Sequence, residues 1–236
     1  MPAGAACQPA CARSPPHPTR MKQPSSPPTA TPLEALGIVA LCFGWFIIGS
    51  LWSVSAGFRN ASFNDASLFG IVAFELFVGP IALLILRSRG YAVRDLLPLP
   101  SLKGCGAGAL LYLAALLACV IVLSPLADNT ATQPIERMME TARPSMAMVL
   151  ALSVVNGLYE EVFLLGYLQK GLRHHGASFA LGVSVLVRVL YHLYQGPHGA
   201  LSLVVVGIVF GLFYLRTGWL WPVVFAHMLA DTIPFL

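Results

Sequence analysis

Residues 145–169 read SMAMVLALSVVNGLYEEVFLLGYLQ, a run whose only charges are the adjacent acids Glu160 and Glu161. At 1.5 Å per residue, a helix of this length crosses the roughly 30 Å hydrocarbon core of a bilayer. A charged side chain at that depth costs at least about 2.5–3.5 kcal/mol, so intramembrane acids line cavities or take partners and mark functional sites. The run therefore reads as a membrane helix that carries a functional carboxylate pair.

The rest of the chain agrees with this reading. Of 236 residues, 57% are hydrophobic and only 10% are charged, with a mean hydropathy of +0.75. A soluble surface needs roughly 25–35% charged residues, so an ordinary soluble enzyme, a nucleic-acid-binding domain and a disordered chain are excluded. Apolar stretches recur at about 34–57, 66–86, 105–127, 145–169, 177–195, 199–215 and 219–235, the last two short. The expected fold is all-α, a polytopic membrane protein of about seven transmembrane helices. Between the third and fourth spans, Ile135, Met138, Met139 and Ala142 recur at helical spacing behind Pro134 and before Pro144. That pattern predicts one interfacial amphipathic helix with Glu136, Arg137 and Glu140 toward water.

Residues 1–32 are rich in Pro, Ser and Ala and lack apolar periodicity, which predicts a disordered tail ahead of a helical membrane domain over 33–236. Met21, followed by Lys22, is a second candidate start. The five cysteines form no CxxC pair and no Cys/His cluster, and read as unpaired apolar fillers. Asn60-Ala61-Ser62 matches a glycosylation sequon, read as accidental. With the N-terminus in the cytoplasm, Arg13, Arg20, Lys22, Arg87, Arg89, Arg94, Lys103, Lys170, Arg173 and Arg216 lie inside, and Arg59, Arg137 and Arg143 outside. Ten against three favours a cytoplasmic N-terminus and an outside C-terminus.

Six ionisable groups collect in the second half: Glu160 and Glu161 on span four, Arg188 and His192 on span five, His227 and Asp231 on span seven. Arg188 and His192 are four apart, as are His227 and Asp231, so each pair shares a helix face. Arg188 is the expected partner of the Glu pair. Three carboxylates and one arginine with neutral histidines leave two negative charges, which protons or a divalent cation must offset. A glutamate could then act as general base on water, or histidines and glutamates could hold a metal. Neither HExxH nor GxSG occurs. Glu75 is expected to make a helix-packing hydrogen bond. His174, His175 and His198 read as ordinary loop residues, and Tyr191, Tyr194, Trp219 and Trp221 as interfacial anchors.

Three segments together carry a resemblance: Tyr159-Glu160-Glu161-Val162-Phe163-Leu164-Leu165, Arg188-Val189-Leu190-Tyr191-His192, and His227-Met228-Leu229-Ala230-Asp231. In order and spacing they resemble the EExxxR, FxxxH and HxxxN/D motifs of the CAAX protease and bacteriocin-processing (CPBP, or Abi) family of intramembrane proteases, which includes the type II CAAX prenyl endopeptidases. The resemblance implies an intramembrane endopeptidase of a bacterial inner membrane. Glu160 would activate the attacking water, Glu161 would support it, His192 and His227 would complete the site, and Asp231 would orient a ligand or help stabilise an oxyanion. Glu160, His192 and His227 are the candidate ligands for a zinc-like divalent metal, which a glutamate-water mechanism does not require. The implied partners are the lipid bilayer and a protein or peptide substrate, such as a prenyl-like protein tail or a bacteriocin precursor, and no nucleic acid.

Two positions depart from the motifs. Leu165 stands in place of the arginine of EExxxR, and Arg188 in place of the phenylalanine of FxxxH. The expectation is that the guanidinium has moved to the neighbouring helix and still neutralises the Glu pair. The alternatives are a proteolytically inactive scaffold or immunity protein of the same fold, and a proton-coupled transporter. Span arithmetic also sets a difficulty, since straight full-length helices leave Glu160 and His192 roughly 15–20 Å apart in depth. A shifted span end, a tilt, or a break near Gly157 or Gly196 would be needed.

Overall fold

The computed structural model describes Met1 and residues 29–58, 63–126 and 133–236. Most of the expected tail, the sequon and Arg59 lie outside these residues. Among the described residues the chain is helical and contains no strand. The helices are α1 (Pro32–Ser55), α2 (Asp65–Ser88), α3 (Leu102–Leu123), the short α4 (Pro134–Thr141), α5 (Met146–Glu161), α6 (Ala177–Leu190), α7 (Gly196–Thr217) and α8 (Leu220–Thr232). Helix α5 does not stop at the Glu pair. It runs on through a π-helical stretch, Val162–Gln169, so that one continuous helical segment covers Met146–His175.

Local chemistry sets the helix starts. The Thr31 side chain accepts from Glu34 N at 3.2 Å with Pro32 in the first turn, and Ser101 and Ser145 cap α3 and α5 by the same device. Before α2, Asn64 and Ser67 exchange side-chain and backbone hydrogen bonds in a capping box. Gly196 holds the turn between α6 and α7 at φ +83°, and a Cβ there would lie 2.6 Å from Pro134, so only glycine suits the position.

Five helical segments are long and apolar enough to cross a membrane: Pro32–Ser55, Asp65–Ser88, Leu102–Leu126, Met146–His175 and Leu193–Thr217. Ala177–Leu190 and Leu220–Phe235 are apolar but shorter. The short segments are thus the fifth and seventh, not the sixth and seventh as the sequence suggested. The segment containing α5 is the central one, with 61% of its apolar window buried, against 11–33% for the other four. The outer helices turn Trp45, Phe77 and Leu110 outward, each more than two-thirds exposed, an inside-out pattern suited to a lipid solvent.

The contacts order the bundle end to end. At one end, Ser145 N donates to Asp65 Oδ1, and Phe63 meets Phe235 edge to face. At the other, Glu34 accepts from Tyr91 and Tyr167 and pairs with Arg89. The start of α1 and the C-terminus therefore lie at opposite ends. Helices α2 and α5 run parallel, with Leu68 and Val72 clustered with Val149 and Leu152, and Gly79 facing Tyr159. Helix α4 has Glu136, Arg137 and Glu140 exposed and Met138 buried, as its pattern predicts.

Candidate active site

Counted from the turn at Gly176, Glu161 lies fifteen residues back and Arg188 twelve residues on. At 1.5 Å per residue the two are within about 5 Å in height, a gap that an arginine side chain closes. Because α6 ends at Leu190 rather than near 195, its last turn reaches only to the level of the Glu pair. The depth conflict in the sequence reading came from giving that helix a full span.

Arg188 accordingly sits between the two acids. Its Nη2 lies 2.7 Å from Glu161 Oε1 and its Nη1 3.4 Å from Glu160 Oε2. All three side chains are buried. His227 on α8 approaches the same pair, with Nδ1 2.6 Å from Glu161 Oε1 and Nε2 3.8 Å from Glu160 Oε2. An ionised carboxylate only accepts, which places a ring proton on Nδ1. Asn156 serves the Nε2 side: its Nδ2 lies 3.3 Å from His227 Nε2 and donates to Asp231 Oδ2 at 3.0 Å. Asp231 Oδ1 is 3.6 Å from His227 Nε2.

The two acids differ in what remains free. Glu160 Oε2 accepts from the Tyr191 hydroxyl at 2.5 Å and from Arg188, while its Oε1 has no hydrogen-bond partner among the described residues. Glu161 Oε1 takes both Arg188 and His227, and its Oε2 is enclosed and unpartnered. Glu160 retains 4% exposure and Glu161 none.

His192 stands apart from the carboxylates. Its Nδ1 lies 3.0 Å from the Arg188 carbonyl oxygen, and its ring lies between Tyr191 and Tyr194, half-buried. Among the described residues, the group able to bring three metal-ligand atoms together is Glu160, Glu161 and His227, within 4.8 Å of one another, and His192 is not in it. Each of the three keeps a ligand atom that Arg188 does not hold, Glu160 Oε1, Glu161 Oε2 and His227 Nε2, so the residues present could take a divalent cation. Glu161 Oε1 is held by Arg188 and His227 Nδ1, and the guanidinium already supplies one positive charge beside both acids.

Two expectations need correction. Tyr191 is not an interfacial anchor: it is buried, its hydroxyl bonds Glu160, and its ring stacks on Phe43 at 4.9 Å. Glu75 makes no helix-packing hydrogen bond among the described residues: it is buried with Oε2 unpartnered. Sequence reasoning gave Tyr191 another role and passed over Asn156, although both carried a signal. Tyr191 is three residues after Arg188 and Asn156 is four before Glu160, so each shares its neighbour's helix face. Trp219 and Trp221 do lie at a helix end, where Trp221 Nε1 donates to Ser101 O.

Residues 142–233 match the family model described as Type II CAAX prenyl endopeptidase Rce1-like. The matched region contains every motif residue named above, and the family is one of membrane-embedded proteases. The resemblance read from the three motifs is thereby shown for this region. No curated protein and no solved structure matches the chain.

Proposed function

We propose that the chain is an intramembrane endopeptidase in which Glu160 activates water to hydrolyse a peptide bond in a membrane-associated protein or peptide. The observation that carries this reading is the asymmetry of the Glu pair: Glu160 Oε1 is unpartnered on the residue that keeps some exposure, whereas Glu161 is spent on Arg188 and His227. Water donates its proton to Glu160 Oε1 as its oxygen bonds the scissile carbonyl carbon. The tetrahedral oxyanion then collapses, the C–N bond breaks, and Glu160 returns the proton to the departing amine. Glu161 and Arg188 are positioning residues that hold His227 and Glu160 in place. Asp231, an acceptor from Asn156, acts by orienting that amide and His227, since an anion beside the oxyanion would oppose the reaction. His192 borders the site and holds the end of α6.

The short segments α6 and α8 complete seven crossings, with the N-terminus on the cytoplasmic side of a bacterial inner membrane. The opposite placement of the start of α1 and the C-terminus supports an odd number of crossings. A second reading, a non-proteolytic scaffold of the same fold, has Leu165 in the arginine position behind it.

The test compares new protein N-termini in membranes expressing the wild type or Glu160→Gln at matched levels. Termini that appear only with the wild type support proteolysis and name the clients. Identical sets move the scaffold reading ahead.

A further inference from the structure

The two ends of the bundle differ in how they close over Glu160. Toward the start of α1, every residue of Val162–Gln169 is buried, and most are apolar. Behind this plug, Glu34 Oε1 accepts from Tyr91 at 2.8 Å and from Tyr167 at 3.1 Å, and Arg89 pairs with Glu34 Oε2 at 3.2 Å. The three contacts tie the start of α1, the end of α2 and the π-helical stretch together. Water or peptide arriving from this side meets packed apolar side chains and then a hydrogen-bonded latch.

Toward the C-terminus, beside the apolar cluster of Leu68, Val149 and Leu152, a line of polar side chains runs on from the Glu pair; Ser153 in it is buried and the others are less enclosed. Asn156, one turn from Glu160 on α5, donates to Asp231, whose side chain is 20% exposed. Ser153, nearly one turn further, shares a 2.6 Å hydrogen bond with Thr232. Asn156, His192 and Thr232 are half-buried, in contrast to the uninterrupted burial on the other side of the Glu pair. These groups form a ladder of hydrogen-bonding sites from the Glu pair to the end that carries Asp65, Ser145 and Phe235. Polar side chains at successive helix turns are expensive in a bilayer unless they line a hydrated path or a protein interior.

We infer that water and substrate reach Glu160 from the C-terminal end of the bundle, so the substrate is a segment presented in the aqueous phase at that face. The substrate class rests on the hydrolytic reading above; the route does not.

The experiment places a single cysteine on the ladder, Asn156→Cys and separately the near-isosteric Ser153→Cys, in membrane vesicles. A C-terminal tag reports which way each vesicle population faces. Labelling by a membrane-impermeant methanethiosulfonate is read at position 156 or 153 by peptide mass, so native cysteines do not contribute. Labelling is expected when reagent and C-terminal tag share a side, and is lost when the reagent is confined to the other side. Labelling only from the side of the α1 start, labelling only by a membrane-permeant reagent, or no labelling at all would overturn the inference. If labelling follows the C-terminal side but no proteolysis is found, the hydrolytic reading fails and the route stands.

Discussion

Arg188 Nη2 lies 2.7 Å from Glu161 Oε1, joining α6 to the acid pair on α5 inside the membrane domain. Leu165, which takes the motif-arginine position, is 1% exposed and packed in the apolar core. The positive charge has a place in the site although its sequence position has changed.

Removing that charge leaves two buried carboxylates without their main partner. Breaking a buried ion pair from one side costs about 3–5 kcal/mol, so Arg188→Leu should lower thermal stability in detergent sharply, with Arg188→Lys intermediate. Leu165→Ala should cost about 2–5 kcal/mol through its cavity yet leave cleavage per folded molecule unchanged. Thermal unfolding together with an activity assay separates the two. Equal small losses for Arg188→Leu and Leu165→Ala would refute the relocated-charge account.

Tyr191→Phe removes one hydroxyl from Glu160 Oε2 and leaves the ring on Phe43. A hydrogen bond to a charged group contributes about 1.5–3 kcal/mol. The variant should fold normally and lose about tenfold or more in kcat/KM, measured on a peptide from an identified client. Unchanged kinetics would mean that the hydroxyl does not tune the base.

Much of this site was legible before the fold was known. Glu160, Glu161, Arg188, His227 and Asp231 stand out because charge inside an apolar run is costly, and four-residue spacing put the last two on one face. Contact distance was not legible. His192 shares that spacing with Arg188, but α6 ends two residues earlier, and the side chain turns to a backbone carbonyl instead of a carboxylate. Gly196 was one of the two candidate breaks in the sequence, and a positive-φ turn does fall there, but the stop of α6 at Leu190 was not legible. Tyr191 was misread because a tyrosine near a span end is usually an anchor, whereas α6 ends level with the Glu pair and its tyrosine enters the site.

Close backbone approach should show in glycine substitutions. A Cβ on Gly108 of α3 would lie 2.6 Å from the Pro222 carbonyl oxygen of α8, and backbone cannot yield as a side-chain tip can. Gly108→Ala should destabilise by about 1–3 kcal/mol. Gly44 on α1 has nothing within 4 Å, and Gly44→Ala should be neutral or gain up to about 1 kcal/mol. Unfolding midpoints of the two variants in the same detergent check the contrast; similar midpoints would show that α3 and α8 are not packed this closely.

Chelation tests the reading that Arg188, not a metal, supplies the positive charge. Cleavage by the purified protein should survive prolonged treatment with EDTA or phenanthroline with its rate unchanged. Loss on chelation and recovery with a divalent ion would show that Glu160, Glu161 and His227 hold a cation.

The most direct measurement compares kcat/KM for the wild type, Glu160→Gln and Glu161→Gln, each in liposomes, on a peptide from an identified client. Thermal unfolding of each protein runs alongside. Removing a general base typically costs about 10²–10⁴-fold, so Glu160→Gln should lose that much while keeping its unfolding midpoint. Glu161→Gln should lose stability as well, because Arg188 and His227 both depend on it. Glu160→Gln retaining activity within about twofold of the wild type, a change below 1 kcal/mol, would contradict the assignment of Glu160 as the base.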